Sequence, residues 1–289
     1  MSADRFRVPA GGRFRIAEYD PGDTGTYTSK KEGQKRLQEG CARLQELQNV
    51  LYAQDRYALL LIFQAMDGAG KDSAIKHVMS GVNPQGCQVY SFKAPSPEEL
   101  DHDYLWRTSH ALPERGRIGV FNRSYYEEVL IVRVHPEILK GQKVPAEMVT
   151  DDIWKQRFED INALERYLTR NGIVIRKFFL NVSKEEQRQR FLARLEEPDK
   201  NWKFSLADVH ERTHWDRYME AYEDMIANTS TEEAPWYAIP ADHKWFARMA
   251  VADVIVEALE ALELSYPTLD EKKHRELAEA RALLEAEAG

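Results

Sequence analysis

The residues Asp67-Gly68-Ala69-Gly70-Lys71-Asp72-Ser73 carry the strongest chemical signal in this chain. Two glycines admit backbone conformations that a Cβ would hinder. Successive backbone N–H groups there can point at phosphate oxygens, and a helix beginning at Lys71 would add its positive end. Lys71 itself offers a charge to a phosphoryl group in transfer. The segment departs from the G-x-x-x-x-G-K-[ST] pattern in two places. Ala65 stands where the first Gly is expected and Asp72 where Ser or Thr is expected, with Ser73 one residue late. Asp67 puts a carboxylate inside the loop, which repels phosphate unless a cation lies between them. Mg²⁺ is the hard, oxygen-seeking ion that suits such a place. The plainer alternative is a glycine-containing turn joining a strand to a helix.

A second segment, Asn122-Arg123-Ser124-Tyr125-Tyr126-Glu127-Glu128, follows the apolar run Arg117–Phe121. In phosphate-loop enzymes the end of a neighbouring strand carries a carboxylate for the metal shell. Here Asn122 stands there, adding no charge, while the Arg123 guanidinium can fork onto phosphate oxygens. Glu127, five residues beyond Asn122, is either the replacement charge or a first-turn acid that favours the helix dipole; both readings stay open. Arg133 lies in the apolar stretch Val129–Val134, whereas Lys140 and Lys143 read as surface lysines.

The third candidate region is 181–217, dense in both signs of charge. Arg190 and Arg194 are four apart and share a helix face. Pro198-Asp199-Lys200 breaks that helix, and Lys203 falls on the reversal. A helix-turn-helix lid closing over polyanions would exclude water and bring arginines onto phosphate. A salt-bridged surface hairpin is the alternative. His210 and His214 are also four apart, without the Glu pattern of a zinc helix.

The positioning elements alternate. Strands are expected at Tyr57–Gln64, Gln88–Phe92, Arg117–Asn122, Ile173–Leu180 and Trp236–Ile239. Helices are expected at 31–54, Lys71–Met79, Pro97–Ser109, Val149–Thr169 and after Ser183, with an amphipathic helix over Asp242–Leu264 and a charged one over Asp270–Glu287. Short apolar strands separated by helices predict an α/β fold with a parallel sheet covered on both faces. Residues 1–30, rich in Pro and Gly, read as an extended arm.

Composition narrows the function classes. With 289 residues the chain can bury a full core. A net charge of −8 argues against a nucleic-acid coat. No apolar run approaches the roughly 20 residues needed to span a bilayer, so no membrane partner is expected. Only Cys41 and Cys87 are present, without disulfide or zinc spacing, and a cytoplasmic location is expected.

Taken in order, Asp67-Gly68-Ala69-Gly70-Lys71-Asp72, Phe121-Asn122-Arg123-Ser124-Tyr125-Tyr126-Glu127, Lys184-Glu185-Glu186-Gln187 with Arg190-Phe191, and Ala234-Pro235-Trp236 resemble the polyphosphate kinase 2 family. The resemblance spans about residues 30 to 265. It implies a P-loop kinase fold like that of thymidylate kinase, with a central parallel sheet flanked by helices and a helical lid over about 184–217. It implies Mg²⁺-dependent, reversible phosphoryl transfer from inorganic polyphosphate to ADP and AMP, or other purine nucleotides. Asn122 with Glu127 resembles the branch that uses both nucleoside mono- and diphosphates.

The site that follows places catalysis on Asp67, Lys71, Arg123, Glu127 and Arg190, with Asp67 and Glu127 toward metal. Gly68 faces the cofactor. Ala69, Gly70, Asp72, Ser73, Asn122, Arg133, Arg194 and Lys203 bind substrate. An ATP-dependent nucleoside monophosphate kinase is the rival enzyme, and an inactive nucleotide-binding regulator the rival of another class. The arm over 1–30, a kinase body over 31–265 and a helical extension over 268–289 complete the expected organisation, with a homo-oligomer as the expected assembly.

Overall fold

The computed structural model describes residues 3–201 and 205–287. Five strands form one wholly parallel sheet: β1 (Ala58–Gln64), β2 (Cys87–Ser91), β3 (Ile118–Asn122), β4 (Ile173–Asn181) and β5 (Trp236–Pro240). Their order across the sheet is β2-β3-β1-β4-β5. Every residue of β1 is buried, which is why its sequence runs apolar without alternation: helices cover both faces. The chain leaves β1 for the far edge, returns to β3, then crosses to β4. Reversal of direction beside β1 opens a crevice at the carboxyl ends of β1 and β3, where such sheets hold ligands.

Helix α1 (Lys30–Gln54) starts at Ser29, whose hydroxyl accepts from Glu32 N–H, and packs its Leu44, Leu47 and Leu51 inward. Helix α2 (Lys71–Val78) leaves the glycine loop. Helix α3 (Ile153–Arg170) covers the sheet beside β4. Past β4 come α4 (Lys184–Glu196), a turn of helix at Pro198–Asn201, α5 (Leu206–Glu211) and α6 (Trp215–Thr229). Helix α7 (Lys244–Glu260) follows β5, and α8 (Glu271–Ala286) ends the described chain. No helix among the described residues is long and apolar enough to cross a membrane.

Two expectations change. Helix α7 is not amphipathic: Phe246, Met249, Val251, Val254, Ile255 and Leu259 are buried around its circumference, because α1 lies on one side and the sheet on the other. Its one buried acid, Asp253, is paired with Arg36 of α1 at 3.0 Å. The expected helix over 97–109 is two single turns, Pro97–Leu100 and Trp106–Ser109, since the Ser96 capping box starts a helix that stops at Asp101.

The arm before α1 meets β5 at Arg7 and Val8. Val8 N–H donates to Trp236 O at 2.8 Å, and Phe6, Val8 and Phe14 are buried in the main core.

Candidate active site

The glycine loop links the end of β1 to α2. Gly68 and Gly70 take φ of +83° and +106°, the left-handed region that L side chains disfavour. A Cβ on Gly68 would lie 2.8 Å from the Phe191 ring and 3.2 Å from Gln187, so the loop is pressed against α4. Lys71 folds back into the loop: its Nζ donates to Ala65 O at 2.6 Å and sits 3.7 Å from Asp67 Oδ1. Burial lowers the Lys71 pKa against the opposing pull of Asp67.

Arg123 arrives from the end of β3 with a left-handed φ of 65°, held there by its N–H donating to Phe63 O at 3.0 Å. Its guanidinium donates to Asp67 Oδ1 at 2.7 Å and lies 3.8 Å from Glu127 Oε2. Burial works to raise the Asp67 pKa, but Lys71, Arg123 and Arg194 together hold the carboxyl below its ordinary value. The same exchange runs in reverse for Arg123, which burial would lower and which Glu127 and Asp67 hold raised. Glu127 also accepts from Gln64 Nε2 at 2.7 Å, at the mouth of β1. Asp67, Lys71, Arg123 and Glu127 therefore meet at one point.

Two openings share Asp67 and Arg123. One is a cleft of about 580 Å³ lined by Lys71, Asp72, Lys76, Lys93 and Asn122. The other is a narrower recess against the lid, lined by Glu127, Gln187, Asp208, Glu211, Tyr218 and Tyr222. A charge-bearing pair standing between two openings suits a reaction that joins two phosphate compounds in line.

Other expected site residues have different surroundings. Asn122 Nδ2 donates to Asp72 Oδ1 at 2.8 Å, so the amide at the end of β3 is bonded to the acid that stands in place of the loop's Ser or Thr. Ser73 Oγ accepts from Arg248 at 2.6 Å, which occupies its hydroxyl from the α7 side. Arg194 lies over the Phe191 ring at 5.2 Å, and its charge reaches Asp67 and Asp208. Ala69 is buried, and its carbonyl accepts from Arg190. Lys203 lies outside the described residues.

Two further expected site residues are engaged by the protein itself. The Arg190 guanidinium bonds within the protein: Nε donates to Glu186 at 2.7 Å, one terminal nitrogen to Gly68 O and Ala69 O at 3.1 and 2.7 Å, and the other to Ala241 O and Asp242 O at 2.6 and 2.9 Å. All five donors of the fork are used within the protein. Arg133 pairs with Asp224 of α6 at 2.6 Å and lines neither opening.

Lys76 and Lys93 have no motif of their own. Their signal is placement alone: Lys93 comes just past β2, at the same sheet edge as Asn122, and Lys76 lies on α2 beyond Lys71.

Among the described residues, no three or more His, Cys, Asp or Glu side chains come together as a ready-made metal cage. Asp67 faces both openings, and Gln64 Oε1, beside Glu127, is buried without a hydrogen-bond partner. One or two carboxylates with an orphaned acceptor fit Mg²⁺ held chiefly by substrate phosphates and water, and do not suit a cation held by protein alone.

The polyphosphate kinase 2 family model matches residues 27–267. An ADP-polyphosphate phosphotransferase of Rhodopseudomonas palustris is 54% identical over 285 residues, covering 98% of this chain and 99% of that one. An AMP/ADP-polyphosphate phosphotransferase of Meiothermus ruber is 44% identical, with 91% and 95% covered. The crystal structure of polyphosphate kinase 2 from Arthrobacter aurescens superposes with a TM-score of 0.86 at 43% identity, covering 96% of each chain. With the match running through the glycine loop, the Arg123 turn and the lid, the chain belongs to the polyphosphate kinase 2 family.

Proposed function

We propose that this enzyme transfers phosphoryl groups from inorganic polyphosphate to ADP, giving ATP, and to AMP, giving ADP, with Mg²⁺ as cofactor. The observation that carries the reading is the single point where Asp67, Lys71, Arg123 and Glu127 meet between two openings. Relatives named for AMP and ADP use support the same acceptors here.

The attacking oxygen belongs to a phosphate already ionised near neutral pH, so no strong general base is needed. The obstacle is repulsion between two polyanions. Lys71 would release the Ala65 carbonyl and turn its ammonium to the transferred group. Arg123, already oriented by Asp67, would take charge that develops on the equatorial oxygens. Bound Mg²⁺ would neutralise charge across neighbouring phosphate oxygens, held from the protein side by Asp67 and Glu127. Lys76 and Lys93 would hold the rest of an anionic chain in the wider cleft, as separate point charges that do not demand one phosphate geometry. Because an anhydride is broken and an anhydride is made, direction follows concentration.

The working body is proposed as 31–265, with 184–217 as its lid, in a cytoplasmic homo-oligomer. Exposed Leu277, Leu283 and Leu284 on α8 support an assembly contact. The test of donor is direct. Short-chain polyphosphate, ADP and Mg²⁺ should yield ATP with no other nucleotide triphosphate present. ATP-driven phosphorylation of a nucleoside monophosphate, with no product from polyphosphate, would favour the nucleotide-kinase rival.

A further inference from the structure

Gln187 sits on the inner face of α4, three and four residues before Arg190 and Phe191, and is buried at 1% exposure. Its amide is used at both ends. Nε2 donates to the main-chain carbonyl of Asp67 at 2.6 Å, and Oε1 accepts from Arg212. Arg212 belongs to the far arm of the lid, one residue past α5, and the same guanidinium donates to Lys184 O at 3.1 Å. Asp67 is the residue whose carboxylate meets Arg123 between the two openings.

We propose that Gln187 is a positioning residue that couples the far arm of the lid, through Arg212, to the backbone of the phosphate loop at Asp67. A side-chain amide suits this role, because it donates to one partner while its oxygen accepts from another. Arg190 supplies the fixed part of the joint. Its bonds run only to Glu186 and to main-chain carbonyls of the loop and of the β5 end, all near the root of α4. Gln187 supplies the adjustable part, since its outer partner travels with the arm that carries Asp208 and Glu211 on the recess wall. With the arm placed as in this structure, Arg212 orients the Gln187 amide, and the amide fixes the Asp67 carbonyl. The carboxylate of Asp67 is then held against Arg123. When the arm lifts, the loop regains freedom.

The kinetic part of this proposal rests on the phosphotransferase reading; the structural coupling does not. Two full-length variants separate the links. Arg212→Met removes the outer donor at a half-exposed position and leaves the loop contact intact. Gln187→Glu keeps an acceptor for Arg212 but sets an oxygen against the Asp67 carbonyl. Amide hydrogen exchange of the peptide spanning 64–72, read without substrate, should speed up about tenfold in both variants. In polyphosphate:ADP transfer, kcat should fall about tenfold while both KM values stay within about twofold. The double variant should match the worse single variant, because the two substitutions break one chain. Wild-type exchange in Arg212→Met overturns the proposal even if kcat falls, since the guanidinium would then act on substrate directly. Faster exchange with unchanged kcat, or multiplying losses in the double variant, also overturns it. If the wild-type enzyme makes no ATP from polyphosphate, the functional reading fails and exchange alone judges the coupling.

Discussion

At the scale of single residues, identity and role separate. That Asp67, Lys71 and Arg123 would come together was legible from side chains at motif spacing, and both cations lie within hydrogen-bond or ion-pair range of the Asp67 carboxylate. What holds Arg190 was hidden apart from Glu186 four residues before it, because its other partners are backbone carbonyls of residues 68, 69, 241 and 242, which no side-chain pattern encodes. The partner of Arg133 was hidden too, because Asp224 lies on α6, far along the chain. Lys71→Ala should lower kcat by ~10²-fold or more, since the ammonium acts where charge develops; steady-state kinetics at saturating polyphosphate check this. The pH response has a defined sign. Burial depresses Lys71, so its charged form is lost as pH rises through a value below the ordinary 10.5. The alkaline limb of kcat/KM, which reports free enzyme, should therefore lie below 10.5, and that of kcat higher, because bound phosphates favour the ammonium. Glu127→Gln keeps an acceptor for Gln64 but removes the charge. The Mg²⁺ concentration for half-maximal activity should rise about tenfold; an unchanged Mg²⁺ titration removes Glu127 from the metal shell.

At the scale of elements, the strands were legible and the helix characters less so. A fully buried parallel strand announces itself by an unbroken apolar run, as Leu59 to Phe63 does. Helix α7 hides its surroundings, because a helix covered on several sides loses the stripe that marks an outer helix. What supports the Arg123 turn was also hidden. Lys177 of β4 is fully buried and donates to Glu165 Oε2 of α3 at 2.5 Å, to Thr229 O at 2.6 Å and to Tyr126 Oη at 2.9 Å. Tyr125 and Tyr126 both donate to Glu165 Oε1, at 2.9 and 2.7 Å. These contacts seat the segment immediately after Arg123. Lys177→Met leaves the Glu165 carboxylate buried and unpaired, and should destabilise the fold by about 3–5 kcal/mol. Urea unfolding monitored by tryptophan fluorescence measures it. Lys177→Met with Glu165→Leu should lose less than Lys177→Met alone, because no buried charge is then left without its partner.

At the scale of the whole molecule, a chain with net charge −8 handles polyanions by arranging local fields, with cations gathered at one sheet edge. Composition alone could not reveal that arrangement. The extension after Pro267 contributes no buried residue from α8, so removing residues 268–289 should leave the midpoint of thermal unfolding within about 2 °C. Size-exclusion chromatography of the shortened chain should show a smaller assembly if the exposed leucines of α8 form the contact, and an unchanged one would place that contact elsewhere. The central claim concerns donor and acceptor together, and phosphorus NMR of the purified protein reads both. Offered polyphosphate, Mg²⁺ and ADP, the enzyme should show growing ATP β-phosphate signal as internal polyphosphate signal declines, with AMP giving ADP first. Lys71→Ala protein under the same conditions should leave both signals nearly static. Wild-type spectra in which polyphosphate stays intact and nucleotide phosphates do not change would contradict the account.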